Sequence, residues 1–433
     1  MTALCALAPR PSRAGSFFVE EQSVSGSGRA LAGQSVLGED ASALFYNPAN
    51  VTQMPALEIA LGSYFAFVHA DLDDRGSDAS TLGTTLSGAG PTRVFGSDGG
   101  NPLGMTLLGS VALAMPLRDE RSWLGVGVSA PFGIESDYGH DWFGRYSATR
   151  TDLRVIDVNP TFGYVVNESL SLGATLTFRH TEADFQSALP DPLATEGPSR
   201  ATDGAVSIRG DDWDIGYALG LRYAPRPGTR IGLAYRSGTH ADLEGRARFS
   251  GLRGPLAVRN GSIDASTKFG LPDIALLGVA QEITPRLTLL AQLNWFDWSD
   301  FEAVKIRLAD GIRIVNPQGY HDSWSAALGA EYRFGDRLLL RAGAEFDKTP
   351  VDAGLRSART PDDDRTRLTA GLSYELRPNL TLDVSYAHVF VRDSEVQRTD
   401  RIFADTPVEA QVQTRADTSA SADIIGVALR YRF

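Results

Sequence analysis

Few residues in this chain are arranged to make or break bonds. His140-Asp141, and Asp383 with His388, could each be pieces of a hydrolase, but no Gly-x-Ser-x-Gly elbow accompanies them. The six histidines are scattered, with no His-x3-His spacing for a metal. Gly26-Ser27-Gly28 opens no dinucleotide motif, because Leu31 stands where the third glycine belongs. A lone cysteine, Cys5, excludes an internal disulfide framework and a Cys-rich zinc site. No catalytic residue, metal or cofactor is expected. The charged residues instead keep one parity: Arg179, Arg236, Arg341, Glu345, Asp383, Arg430 and Arg432 each alternate with apolar neighbours.

Such parity belongs to strands with two unlike faces. Leu170, Leu172, Ala174, Leu176 and Phe178 oppose Ser171, Gly173, Thr175, Thr177 and Arg179. Leu338, Leu340, Ala342, Ala344 and Phe346 oppose Leu339, Arg341, Gly343 and Glu345. The pattern recurs from about residue 55 to Phe433. Tight turn signals fall near 118–122, 167–169, 225–228, 284–286, 335–337 and 377–379. Long polar stretches fall near 70–102, 132–152, 186–211, 241–267, 299–320, 348–363 and 396–420. Short and long connections alternate, which gives fourteen strands with all short turns at one end.

Composition agrees. No run of about 18 apolar residues exists, so helical spans are excluded. Residues 99–117 carry no charge, but Gly99, Gly100, Asn101, Pro102 and Gly104 spoil them as a helix. Net charge is −12, which argues against nucleic acid. Forty-four glycines and 42% hydrophobic residues fit a large all-β protein. In lipid every backbone donor and acceptor needs an internal partner, so the sheet must close. The expected fold is all-β, a 14-stranded antiparallel transmembrane barrel with the charged parity facing the lumen. An arginine on the lipid side at mid-depth would cost roughly 2–4 kcal/mol. Tyr64, Trp123, Tyr164, Trp295, Trp298, Trp324 and Tyr332 are expected in interfacial girdles. The chain ends Tyr431-Arg432-Phe433, which resembles the C-terminal signature read by the barrel assembly machinery.

The N-terminus differs. Ser12-Arg13-Ala14 has small residues where a leader peptidase cuts, so residues 1–14 are expected to be a signal-peptide remnant. A charged n-region and long apolar core are missing from it. The alternative is a soluble tail. Residues 15–54, rich in Gly, Ser and Ala, are expected to fill the lumen as a hatch, with a periplasmic extension as the alternative, leaving 55–433 as the barrel.

The run Glu21-Gln22-Ser23-Val24-Ser25-Gly26-Ser27-Gly28-Arg29-Ala30, then Glu39-Asp40-Ala41-Ser42-Ala43 and Asn47-Pro48-Ala49, resembles the hatch of the FadL-type long-chain fatty acid transporters. Asn159-Pro160, Asn294-Trp295-Phe296-Asp297-Trp298, Asp364-Arg365 and Tyr386-Ala387-His388 extend the resemblance over nearly all of residues 15–433. It implies a bacterial outer-membrane barrel taking up hydrophobic compounds, passively and gated by the ligand. Long-chain fatty acids are the leading substrate and aromatic hydrocarbons the alternative. A general diffusion porin, a lipid-acting barrel enzyme and a soluble β-rich protein are further readings. Partners implied are the ligand, outer-membrane lipid and the assembly machinery, with the chain acting as a monomer.

The resemblance also distributes roles. Phe17, with Phe18 and Val19, is expected to line the ligand pocket. Gly26, Gly28, Arg29, Asn47, Pro48 and Ala49 mark the hatch. Gly125, Gly127, Pro131, Phe132 and Gly133 of the third strand are expected to form a lateral opening, since proline removes a ladder bond and glycine permits a bulge; the alternative is that Pro131 simply ends the strand. A ligand carboxylate favours a cationic partner, for which Arg145, Lys305 and the lumenal arginines are candidates. Leu189, Leu193, Leu252, Leu256 and Val258 are candidates for an extracellular landing groove.

Overall fold

The computed structural model describes residues 17–433; the expected leader 1–14, Cys5 included, lies outside the described residues. Fourteen strands form the wall: β1 (Glu58–Asp74), β2 (Met105–Pro116), β3 (Ser122–Asp137), β4 (Arg150–Asn167), β5 (Leu170–Leu189), β6 (Gly204–Arg226), β7 (Thr229–Arg236), β8 (Asp273–Thr284), β9 (Leu287–Asp297), β10 (Ser323–Phe334), β11 (Leu338–Asp347), β12 (Arg365–Arg377), β13 (Leu380–Ile402) and β14 (Ala410–Arg432). Each pairs antiparallel with its neighbours in sequence. The wall closes where β1 meets β14, from Glu58↔Arg432 to Asp74↔Ala416. All six tight turns lie where the sequence places them, joining alternate strand pairs.

The parity is kept. Leu172, Leu176 and Phe178 are exposed toward lipid, while Arg179 between them and the hatch is 1% exposed. The girdle needs correction. Tyr164, Trp295, Trp324 and Tyr332 do face outward, but Tyr64, Trp123 and Trp298 face in. The Tyr64 hydroxyl lies 3.2 Å from that of Ser27, and Trp123 Nε1 donates to the Met54 carbonyl at 2.9 Å. A filled lumen is a second apolar–polar boundary, and it recruits the same amphipathic rings.

Several stretches read as loops are sheet. Residues 396–420 are mainly the upper ladder of β13 and β14, down from Ile402↔Ala410. The stretch 241–267 belongs to a hairpin of Thr239–Ser250 and Gly261–Leu271, and 299–320 contains another, Ala303–Leu308 with Arg313–Pro317. Above the lipid the alternation persists with its sense reversed, apolar residues inward and charged residues outward, and the ladder hydrogen bonds continue.

Phe17 to Met54 runs inside the lumen as short turns. Ser23 caps Val24–Ser27, Asp40 caps Ala41–Phe45, and Asn47 caps Pro48–Gln53, where proline at the first turn loses no bond. Asn47 Nδ2 also donates to the Leu221 carbonyl of β6 at 3.0 Å, tying the segment to the wall. Backbone meets backbone closely. A Cβ on Gly28 would stand 2.9 Å from Gly371 Cα, and one on Gly173 would stand 2.3 Å from the Pro48 carbonyl carbon. Glycine is used there because nothing larger fits.

Arg29 is fully buried and bonds Glu39 at 2.7 Å and Glu331 of β10 at 2.8 Å. Arg341 of β11 meets the same two carboxylates at 3.0 and 2.9 Å. Replacing Arg29→Gln leaves two buried carboxylates on one guanidinium. The expected loss is about 3 kcal/mol of unfolding stability, measurable by urea titration of the reconstituted barrel. A loss below measurement error would show that Arg341 suffices.

Candidate functional site

The third strand carries the wall's main irregularity. Ser129 pairs with Asp157 and Phe132 with Val155, so Ala130 and Pro131 oppose Ile156 alone. This is a one-residue bulge, and β3 continues beyond it to Asp137 rather than ending at Pro131. β2 and β3 pair from Pro116↔Trp123 up to Val111↔Val128. Among the described residues, no pairing joins them above that point. Met105–Ser110 of β2 pair with β1 alone, and Ser129–Asp137 of β3 pair only with β4 within the wall. Ala130 to Ile134 are all buried, so the strand bends into the lumen. Gly125 and Gly127 lie below the bulge, where a Cβ would stand 3.2 and 2.9 Å from the Leu44 side chain. Both leave room for that side chain of the lumenal segment.

A bent strand leaves backbone groups to be satisfied. The arm Phe17–Gln22 supplies partners for them. Gly133 N–H donates to Phe17 O at 2.8 Å, and Val19 N–H donates to Pro131 O at 2.7 Å. Gln22 grips Ala130 twice: its Nε2 donates to Ala130 O at 3.2 Å, and its Oε1 accepts from Ala130 N–H at 3.3 Å. Pro131 has no N–H to satisfy. Sequence reading missed Gln22, since nothing local marks a glutamine as the complement of a strand 108 residues away. Gln22→Ala orphans both Ala130 groups. Hydrogen exchange at Gly133 and Val19 is expected to speed up without global unfolding; unchanged protection would show the arm is held elsewhere.

Phe17 sits among five rings: Trp298 at 5.0 Å, Phe301 at 5.2 Å, Phe269 at 5.9 Å, Phe132 at 6.1 Å and Tyr320 at 6.4 Å. Phe18 packs on Phe132 and Phe296 and lines a narrow, partly open apolar cleft. The cleft's apolar walls include Leu31, Phe45, Ile274, Leu276 and Phe296. Val19 faces elsewhere, into a separate cluster with Leu108 beside the unpaired stretch of β2. Ala30 and Leu31 hold left-handed backbone at φ 54° and 58°, costing roughly 1–2 kcal/mol each.

One cation lines this cleft, Arg236 at the end of β7. Its guanidinium lies 4.4 Å from the Phe45 ring centre and donates to the Phe45 carbonyl at 2.6 Å. Its nearest carboxylate, Asp157, is 3.8 Å away and already bidentate to Arg179 at 2.7 and 2.8 Å. Arg236 Nη1 also donates to Asn159 Oδ1 and Thr177 Oγ1, each at 3.4 Å, and among the described residues no carboxylate lies closer to it than 3.8 Å. Glu20, the cleft's acid, is taken by Arg367 at 2.9 Å. Tyr46 couples cleft to arm, donating to Glu20 O at 2.5 Å and accepting from Gln22 N–H at 3.1 Å. The charge parity marks Arg236 as lumenal; only its distance to Phe45 separates it from the other lumenal arginines.

The two cations singled out for a carboxylate are not in this cleft. Arg145 lies in the loop between β3 and β4, bound to Asp203 at 2.8 Å and to the Phe95 carbonyl at 2.9 Å. Lys305 is exposed on the outer face of its hairpin, while Val304 and Ile306 beside it point inward. Of the landing-groove candidates, Leu189 and Leu252 are buried and Leu256 is half-buried, all in the apolar cluster that contains Phe17 and Phe45. Leu193 and Val258 are exposed. That cluster runs from Phe249 and Leu252 past Val304 and Ile306 to Phe17, an unbroken apolar face from the extracellular hairpins to the cleft. A shallow groove opens on it between Phe185, Ile208, Leu243 and Ile306. Above the lumen, Arg359 of the β11–β12 loop reaches across to the Ser147 carbonyl at 2.8 Å and the Arg150 carbonyl at 3.1 Å.

The model of one family, described as outer membrane protein transport protein (OMPP1/FadL/TodX), matches residues 5–433. Outer membrane protein P1 of Haemophilus influenzae is 26% identical over 455 residues, spanning 99% of this chain and 97% of its own. The long-chain fatty acid transport protein of Escherichia coli O6:H1 is 25% identical over 401 residues, 86% of each chain. The structure of a Pseudomonas aeruginosa FadL homologue aligns with TM-score 0.85 at 23% identity, covering 97% of this chain and 100% of that one. The Pseudomonas putida toluene transporter TodX aligns with TM-score 0.66 at 20% identity, covering 97% and 100%. The closed wall, the filled lumen and the match along almost its whole length agree: the chain belongs to the OMPP1/FadL/TodX family of transport proteins of the bacterial outer membrane.

Proposed function

We propose that this protein takes up long-chain fatty acids across the outer membrane by passive, ligand-gated passage. The observation that carries the reading is Arg236, a cation whose nearest carboxylate lies 3.8 Å away, at an apolar cleft whose other walls suit an acyl chain. A neutral aromatic molecule would use the walls and leave that charge unused. The acid lands on the apolar face of the extracellular hairpins and moves past the rings around Phe17. It settles with its carboxylate at Arg236. Phe18, Glu20 and Tyr46 belong both to the cleft and to the arm or its hold, so an incoming chain competes with the arm for space. Displacing the arm unbinds Ala130, Pro131 and Gly133 and frees the gap between β2 and β3 as a lateral exit.

A diffusion porin needs a water path, whereas here the lumen is filled and the Arg359 loop crosses the mouth. The single chain closes its own wall and fills its own lumen, which supports action as a monomer. The exposed Phe433 at the end of β14 supports recognition by the assembly machinery. No step calls for a catalytic group.

The test is direct binding of oleate and of toluene to the detergent-solubilised chain, beside Phe17→Ala. The expected result is saturable oleate binding that weakens in the variant. Toluene binding alone would move the substrate to small hydrocarbons, and saturation by neither would sink the cleft assignment.

A further inference from the structure

The upper sheet outside the barrel wall carries an arrangement that ligand passage does not explain. Its inner face, with Leu243, Phe249, Phe269, Val304, Ile306 and Leu308, is buried in the apolar cluster. Its outer face is charged. Asp211 of β6 pairs with Glu244, Glu244 with Ser266, Ser266 with Arg307, and Arg307 with Arg313. In the neighbouring row, Asp242 pairs with Lys268 and Lys268 with Lys305. In the adjoining rows Arg209, Arg246, Arg248 and Asp264 mix both signs, whereas Lys268, Lys305, Arg307 and Arg313 gather toward the free edge strand Arg313–Pro317.

Two of these contacts set like charges directly opposite each other, Lys268 against Lys305 and Arg307 against Arg313. Cross-strand repulsion of this kind destabilises a sheet. Lys268 has a weak partner in Asp242 at 3.5 Å. Lys305, Arg307 and Arg313 are exposed and make no side-chain hydrogen bond or ion pair among the described residues. Guarding an edge strand requires charge, but not one sign facing itself. In a chain of net charge −12 the cluster runs against the background.

Its height is informative. Trp213, 63% exposed, stands on the outer face of β6 two residues before the row of Asp211 and Arg307 is reached. Going outward, the cations begin where the aromatic lipid face ends. Cross-strand neighbours lie about 5 Å apart and same-face neighbours on a strand about 7 Å apart. Four cations on that grid match several phosphates on one headgroup better than a single carboxylate.

We propose that Lys268, Lys305, Arg307 and Arg313 form a docking surface for the phosphorylated glycolipid of the outer leaflet, lipopolysaccharide. The acyl chains would lie on the wall below and the sugar phosphates on the grid. Bound there, the lipid would neutralise the repulsion and brace the hairpins that carry the apolar landing face.

The test uses the full chain in detergent and a triple variant, Lys305→Gln, Arg307→Gln and Arg313→Gln. These residues are exposed, so folding is unaffected. Binding of lipopolysaccharide, and of the same lipid after phosphatase treatment, is measured by native mass spectrometry at two salt concentrations, with oleate binding alongside. The expected result is salt-sensitive binding that requires the phosphates. It should weaken about fivefold per lost cation, roughly a hundredfold in the variant, with oleate binding unchanged. Equal binding of the dephosphorylated lipid, or a variant within about twofold of the parent, overturns the proposal. So does a variant that keeps the lipid but captures oleate more slowly at low salt, because the surface would then steer the substrate.

Discussion

Deleting Pro131 is expected to abolish oleate uptake while leaving oleate binding intact. The bulge sets Ala130 and Pro131 against Ile156 alone. Without Pro131, Ala130 falls opposite Ile156 on the outer face, and Phe132 stays inward opposite Val155. Extending the existing β2–β3 register places Ala130 beside Gly109 and Phe132 beside Leu108, which already faces inward. Parity is therefore kept on both flanks, and the lost proline removes the one residue unable to donate to the ladder. The strands can pair past Val111↔Val128, and the wall closes. Arg236 and the cleft are untouched by this change. Cells carrying the deletion are expected to take up labelled oleate no faster than cells lacking the protein. Uptake at the parental rate from a correctly inserted barrel would place the exit elsewhere.

Replacing Arg236→Gln is expected to separate the two substrate classes. A charge-assisted hydrogen bond contributes about 1.5–3 kcal/mol, so oleate affinity should fall roughly 10- to 100-fold. Toluene has no charge to lose, and its affinity should hold. Glutamine can keep the hydrogen bond to the Phe45 carbonyl at 2.6 Å in the parent, so the cleft is expected to stay formed. Arg236→Lys should recover part of the oleate affinity through charge alone. An equal fall for both ligands would show that Arg236 shapes the cleft without meeting the carboxylate.

Much of the wall is legible because lipid imposes a strict rule on every residue between the girdles. Leu176 and Arg179 could not exchange places, and the tight turn at Asn167-Glu168-Ser169 interrupts the alternation at a fixed point. Such signals are local and recur in every strand. Above the membrane the rule lapses. The hairpins of 239–271 and 303–317 read as loops because their outward positions are charged instead of apolar, so their alternation runs opposite to the lipid rule. The girdle failed at Tyr64, Trp123 and Trp298 for a related reason: a plugged barrel has two apolar boundaries, and an aromatic residue can serve either one.

The functional parts divide the same way. The sequence by itself determined the barrel class, the strand count, the lumenal parity of Arg236 and a defect at Pro131, since each follows from residue type and near spacing, while Asn47-Pro48-Ala49 is marked as hatch by its resemblance to the FadL-type transporters. Only the tertiary structure decided that Pro131 bulges without ending β3, that Gln22 and Phe17 to Val19 satisfy the bent strand, and that Arg236 lines the cleft. It also placed Arg145 against Asp203 and Lys305 on the outer surface. Those outcomes depend on distances between segments far apart in the chain. The closed wall sets those distances by fixing which strands face each other across a filled lumen, and no local pattern encodes them.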